Sequence, residues 1–412
     1  MNRPRLLVLS HVLPFPGNAG QEQRVRETLV SARHRFRVTF ATAAPASDHP
    51  GLRAELAPFC DEVLLLESRY HASPVHRGWH RFRAGAYAAA TGLKTSNYVI
   101  GKLEFSPDRI DELVSGREFD VALFEYWHAA SAAARLSSRG IPCVLDMHDI
   151  LWQGRAQRLR EDSAVPKPIQ QWWVHRYRRR EERAWSAFDA LIAINGDERE
   201  YVRPFLRAGV PVFYAPMGTD LQKWSYRWAP AQPPRLAYYG GLGTAHNRRS
   251  AIQCYRDIMP LIWSTHPTTQ LWLVGSRPSA ELQALAADER VVVTGFIKEP
   301  QGTLATMTAV LCPWQGTYGF RSRLVEVMAL GVPVVASPDA VAGMGLSEGN
   351  GLFLADDAGG FAFAASRLIS EPDLASEQSR RARQQTEALF SLDNTYDRLM
   401  RELEGWLGQR RT

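Results

Sequence analysis

Between Gly319 and Glu326 the chain sets Arg321 and Arg323 behind a glycine, with a carboxylate three residues beyond the second arginine. A glycine loop that opens a helix offers backbone amides without intrahelical partners, at the positive end of the helix dipole, to an anion such as a phosphate. Arginines in the first turn oppose that dipole unless an anion lies between them, so the pair suits binding better than it suits the helix. Glu326 follows Gly319 by about two helical turns, which puts its carboxylate on the face of the loop, where it can accept hydrogen bonds from a sugar diol. A bland reading stays open beside this one. Arg323 and Glu326, three apart, also make an ordinary surface helix pair worth roughly a few tenths of a kcal/mol.

Two other places repeat the theme of polar residues at the ends of apolar runs. Gly240 and Gly241 follow Leu236-Ala237-Tyr238-Tyr239, and paired glycines let the backbone approach a diphosphate. In the first half, Glu125 closes the run from Asp120 to Phe124, and His148 stands just past the run from Pro142 to Leu145. Open α/β sheets place their chemistry at the carboxyl ends of their strands, and polar residues there make poor core material. Asp146 and Asp149 flank His148 and can orient its ring, so a functional role is favoured over a core histidine.

These residues need a frame, and the pattern supplies one. Short apolar runs at 5–10, 37–41, 62–66, 120–125, 142–146, 236–239, 271–275, 291–297, 309–313 and 332–336 read as buried parallel strands, with helical stretches such as 21–32 and 169–188 between them. The stretch 71–97 mixes Arg, His, Tyr and Trp among alanines and reads as a helical excursion. The proline-rich stretch 228–234 reads as a domain boundary. The expected organisation is α/β, two Rossmann-like domains facing a cleft: residues 1–227, joined by a C-terminal helix in 391–412, and residues 235–390. A last helix crossing back to the first domain would have Trp406 as an anchor.

Composition narrows the class. The 412 residues suffice for two large cores, and 45% hydrophobic with 22% charged residues is ordinary for a globular enzyme. Cys60, Cys143, Cys254 and Cys312 are scattered in apolar contexts without metal-ligand spacing, as reduced core cysteines would be. No run of 18 apolar residues occurs and the first residues are too short for a signal peptide, so the expected location is cytoplasmic. A net charge of +6 suits an anionic ligand, nucleic acid or an anionic membrane. Part of that charge sits in residues 169–188, where arginines alternate with Trp172, Trp173, Tyr177 and Trp185. This helix reads either as a peripheral contact with the inner face of a membrane or as a surface helix whose aromatics pack inward.

The segment Gly319-x-x-x-Arg323-x-x-Glu326, followed by Met328-Ala329-Leu330-Gly331-Val332-Pro333-Val334-Val335, resembles the nucleotide-sugar loop of retaining glycosyltransferases of family 4. The resemblance extends over nearly the whole chain and implies the GT-B fold, with transfer of a sugar from a nucleotide-diphosphate sugar to a hydroxyl of a glycan, lipid-linked or small-molecule acceptor. It implies surface polysaccharide assembly as the setting, with no cofactor and no metal, there being no aspartate cluster for Mg²⁺. It assigns Gly240, Gly241, Gly319, Arg321, Arg323 and Glu326 to the donor, and Glu125 and His148 to the acceptor side. The loop Gly17-Asn18-Ala19-Gly20 is similar to the family's glycine loop between donor and acceptor, which makes Asn18, Gly20 and Arg24 candidates; a plain tight turn is the alternative. The chain departs from the family where Tyr318 replaces a glutamate, and where Gly241 and Asn247 replace an arginine and a lysine that grip the diphosphate. Arg248, Arg249, Arg321 and Arg323 are the cations left for that task. A nucleotide-sugar epimerase of the same fold and a noncatalytic nucleotide-sugar-binding partner remain as rivals; a nucleic-acid partner is not expected, for want of a motif.

Overall fold

The computed structural model describes residues 3–17, 19–161, 164–316 and 319–411. Asn18 and Tyr318, both singled out above, lie outside the described residues. The chain divides into two compact units, Met1–Pro216 with Tyr396–Thr412, and Met217–Thr395. The division falls ahead of the proline-rich stretch, which is tied into the second unit: Ala229 N–H donates to Ala305 O, Ala231 N–H to Thr306 O and Trp228 Nε1 to Met307 O, each at 2.9 Å.

In the first unit the described strands are β1 (Arg5–Leu9), β2 (Arg37–Ala44), β3 (Glu62–Glu67), β4 (Val121–Glu125), β5 (Cys143–Asp146), β6 (Ala190–Ala193) and β7 (Val212–Tyr214). They form one parallel sheet in the order β3-β2-β1-β4-β5-β6-β7. The strands read as unbroken apolar runs because helices cover both faces. Leu6, Val8, Val121, Leu123 and Val144 point into one core, with Val25 and Leu29 of the helix Gly20–Arg33 and Leu399, Met400 and Leu403 of the helix Arg398–Arg411. Leu7, Leu9, Ala122, Phe124 and Leu145 point into the other, with Tyr177 and Trp185 of the helix Lys167–Trp185. Trp406 packs at the edge of the first core, its ring 6.3 Å from that of Phe213.

The second unit repeats the plan with β8 (Arg235–Tyr239), β9 (Gln270–Val274), β10 (Val291–Gly295), β11 (Ala309–Cys312), β12 (Val334–Ala336) and β13 (Leu352–Leu354), ordered β10-β9-β8-β11-β12-β13 and parallel. In both sheets the strand order reverses beside the first strand of the unit, between β1 and β4 and between β8 and β11. Crossover helices leave in opposite directions there, so the loops at the carboxyl ends of those strands part and leave a crevice for a ligand. All four cysteines are free and buried. No helix among the described residues is long and apolar enough to cross a membrane.

Candidate functional site

The parallel pairing of β4 with β5 sets Glu125 opposite Asp146 at the carboxyl ends of both strands. Two carboxylates side by side in a buried place repel each other, so the fold must supply compensating groups. It supplies two. Arg24, from the helix Gly20–Arg33, donates its Nε to both Asp146 oxygens at 2.9 and 2.8 Å and its Nη1 to Ala215 O at 2.9 Å. His148 Nε2 lies 2.5 Å from Glu125 Oε2, within hydrogen-bond distance, and the His148 amide donates to Asp146 Oδ1 at 3.3 Å. All four side chains are buried.

The charge states follow from these contacts. Burial alone would lower the pKa of Arg24, but the adjoining Asp146 carboxylate outweighs it, so the guanidinium stays charged. Burial and the charge of Asp146 push Glu125 above the usual carboxylate range, against the pull of His148 and Arg24. A carboxyl raised in this way and bonded to an imidazole is equipped to take or give a proton near neutral pH. Glu125 Oε1 is buried without a hydrogen-bond partner. Among the described residues Glu125, Asp146 and His148 also form a group whose potential ligand atoms lie within 4.8 Å of one another. Its donor set fits a proton network better than a metal, because Arg24 already occupies both Asp146 oxygens and His148 one of Glu125.

Backbone strain marks the same place. Tyr126 and His148 have φ of +73° and +60°, a region that costs an L residue on the order of 1 kcal/mol or more and persists only where packing enforces it. Their rings stack at 4.0 Å. Two further imidazoles stand close by, His11 after β1 and His128 after β4, with ring centroids 5.5 Å apart. Burial and the neighbouring His148 push His11 down to about 4. The segment after His148 is pinned as well: Glu181 accepts the amides of Leu151 and Trp152 at 2.8 Å each, at the start of the helix Leu151–Glu161.

In the second unit the Gly240-Gly241 loop is braced by Asn247, whose Nδ2 donates to Gly241 O at 2.9 Å while its Oδ1 accepts from Tyr238 OH at 2.7 Å. A side chain at Gly275 would collide with Gly240 O at 1.6 Å, so this close approach of two strand-end loops requires glycine. Across the switch point, Arg323 Nη1 donates to Glu326 at 2.7 and 3.1 Å and to Tyr239 OH at 2.8 Å; Tyr239 OH donates to Glu326 Oε2 at 3.1 Å. Glu326 is 5% exposed, which rules out the plain surface pair. The helix opens at Ser322, so Arg321 precedes it, correcting its expected place in the first turn; its guanidinium lies 3.7 Å above the Trp314 ring, and His246 stacks on that ring at 4.9 Å. Arg323 is in the first turn as expected.

The structure therefore brings together Arg24, Glu125 and His148 in one unit, and Gly240, Gly241, Arg321, Arg323 and Glu326 around one switch point in the other. Gly319 takes φ of +75° in the loop before the helix, and Gly20 begins the helix that carries Arg24. Arg248 is half-buried and Arg249 exposed on the helix Ala245–Gln253. Asp146 was expected to orient the His148 ring, but it accepts from Arg24 and from the His148 amide, and the ring bonds Glu125 instead; Tyr239, His246, Trp314 and Arg277 were not assigned to a site from sequence. Arg277, with φ of +54°, lies against Gly243 at the end of β9. Tyr239 and Trp314 stand at strand ends, and the rule that found Glu125 applies to them equally.

Comparison with known proteins bears on both units. Residues 19–218 match the model described as glycosyl transferase 4-like domain, and residues 233–371 the one described as glycosyl transferases group 1. No curated protein matches significantly in sequence. Among solved structures, sucrose-phosphate synthase from Thermosynechococcus elongatus superposes with a TM-score of 0.67 at 19% identity, over 99% of this chain and 100% of that one. A glycosyltransferase from Rickettsia africae gives 0.66 at 11%, over 99% of each chain. The Anabaena protein HepE, solved with UDP and glucose, gives 0.60 at 14%, over 97% and 99%. With its two doubly wound sheets and these matches, the chain has the GT-B fold of glycosyltransferases, its first unit matching the 4-like model and its second the group 1 model.

Proposed function

We propose that the protein is a retaining glycosyltransferase of family 4 that moves a sugar from a nucleotide-diphosphate sugar to a hydroxyl of a glycan, lipid-linked or small-molecule acceptor, in the cytoplasm and in the service of surface polysaccharide assembly. The observation that carries this reading is the knot of Arg323, Glu326 and Tyr239 beside the Gly240-Gly241 loop. It joins a cation, a carboxylate with a lone pair to spare and close backbone at one switch point. HepE, of the same fold, is solved with UDP-glucose, which makes a uridine donor the first to try.

In this reading Arg321, Arg323 and the amides at the start of the helix Ser322–Ala329 hold the diphosphate, and Glu326 accepts from the ribose hydroxyls. As the bond from the anomeric carbon to the diphosphate oxygen breaks, its electrons leave with the nucleotide, and the arginines offset the charge that develops without a metal. The acceptor oxygen forms the new bond on the same face. In this reading its proton passes to the Glu125 and His148 pair, where the buried Glu125 Oε1 has no hydrogen-bond partner of its own. Arg24 and Asp146 touch no reacting atom in this scheme; they are positioning residues that hold the neighbouring charge constant.

A thermal-shift screen of UDP-, GDP-, ADP- and dTDP-sugars against wild type and Arg323→Ala tests the donor half, because a ligand that binds only the native state raises its stability. A shift with one base, lost in the variant, is expected; no shift with any of them overturns the reading. Retention is checked by the anomeric configuration of the product by NMR, where inversion would refute it.

A further inference from the structure

The basic, aromatic helix Lys167–Trp185 reads from sequence either as a membrane contact or as a surface helix packed inward, and its C-terminal half packs into the unit. Tyr177, Glu181 and Trp185 are buried, and Arg178 pairs with Glu182 at 2.6 Å while lying over the Trp152 ring. The stronger surface is the helix Pro74–Thr91. Its side chains Val75, Trp79 and Phe82 are 81%, 56% and 68% exposed. At 100° per residue these three and Ala86 fall on one stripe. His80, Ala84, Tyr87, Ala88 and Thr91, the residues by which the helix packs on its unit, fall on the opposite side. The apolar stripe is therefore aimed directly away from the core.

Its surroundings decide what could cover it. From residue 68 to residue 103 the chain contains no Asp or Glu, and it contains Arg69, Arg77, Arg81, Arg83, Lys94 and Lys102. On the same projection Arg83 borders the stripe on one side and Arg81 lies further round on the other, while Arg77 falls toward the packed side. Trp79 and Phe82 stack at 5.9 Å and present their faces together. A second copy of this chain would set like charges against each other, and one stripe of three side chains falls well short of the roughly 1,000 Å² that a stable interface buries. A convex apolar ridge bordered by arginines suits a flat, anionic, deformable surface, with the rings at the headgroup level and the guanidiniums on the phosphates.

We infer that the helix Pro74–Thr91 is a membrane-surface anchor that inserts Val75, Trp79 and Phe82 into the interface of a bilayer containing anionic phospholipid. The exposed Ile169 and Trp172 of the helix Lys167–Trp185 add apolar area to the same unit. The anchor does not depend on the transfer chemistry above, and a protein that failed every nucleotide-sugar assay would leave it standing.

The test is co-sedimentation of the full chain with vesicles of phosphatidylcholine alone and of phosphatidylcholine with phosphatidylglycerol in equal parts. Wild type should pellet with the anionic vesicles, less with the neutral ones, and less again at high salt. Trp79→Ser with Phe82→Ser, and separately Arg81→Glu with Arg83→Glu, should each weaken partition by about tenfold or more. Thermal melts should match wild type, since these side chains are exposed. Failure to pellet with anionic vesicles overturns the anchor, as does equal pelleting of the variants. A wild-type dimer in sedimentation velocity that the Trp79→Ser, Phe82→Ser variant dissociates would also overturn it, assigning the stripe to a second copy instead.

Discussion

Each unit carries an arginine bound to a carboxylate at its switch point, and the two pairs differ in burial. Arg24 and Asp146 have side chains 1% and 0% exposed; Arg323 and Glu326 have 41% and 7%. The first pair is separated by 122 residues in sequence, sealed from water and embedded in a network with Glu125 and His148. The second is three residues apart, with its cation half in solvent. Burial makes the first a permanent part of the fold, because neither charge can be left alone in a low-dielectric interior. Partial exposure makes the second exchangeable, because water can replace one partner and so can a ligand. In the proposed reaction the first site handles the acceptor's proton and the second receives the charged donor.

That division can be broken from either side. The largest effect is expected for Glu125→Gln and His148→Asn, which should lower kcat by about 10²- to 10⁴-fold, the usual loss for a general acid or base, while the donor-induced thermal shift persists. Steady-state turnover beside the shift assay checks this; loss of the shift instead would erase the assigned division of labour. Next comes Arg24→Met, which strands a buried carboxylate and should cost about 3 to 5 kcal/mol in urea unfolding, with much of the loss recovered in the double variant carrying Asp146→Leu. If Arg24→Met costs no more than an exposed pair, the contrast in burial teaches nothing.

A pH series sharpens the picture of the first unit. Burial raises Glu181 from the ordinary 4.5 to about 8, against the pull of the Leu151 and Trp152 amides. Between these values the folded state binds the extra proton, so stability is full below 4.5, falls as pH rises toward 8 and levels off above it. Wild type should lose up to about 5 kcal/mol more than Glu181→Gln over that window, read from denaturant midpoints at successive pH values. The smallest effect is expected for Arg323→Ala without ligand. This half-exposed cation should contribute about 1 to 2 kcal/mol, less than the sealed Arg24, because the buried Glu326 keeps the Tyr239 hydroxyl, and its removal should abolish the donor-induced shift.

Much of the frame was legible. Strand runs such as 5–9 and 309–312 stand out because a strand buried on both faces must be apolar throughout, and glycines such as Gly240 and Gly331 mark the turns between elements. Glu125 and His148 were visible as polar residues where an apolar strand ends. The grip of Arg24 on Asp146 was not, since nothing local links a helix residue to a strand end so far along the chain. Arg323 with Glu326 was legible as a pair, but the Tyr239 hydroxyl that joins them comes from a strand 84 residues earlier. The helix Pro74–Thr91 looked irregular because its apolar residues follow two opposed stripes, and sequence alone does not tell which stripe meets the core.

By itself, then, the sequence determined the alternation of strands and helices, the two-unit plan and the residues placed at strand ends, because periodicity and turn chemistry act over a few residues. Tertiary structure alone decided which of those end groups became partners, and so which carboxyl is raised, which arginine is sealed and which is left open. Register and burial set those properties, and both arise only when distant strands are laid side by side.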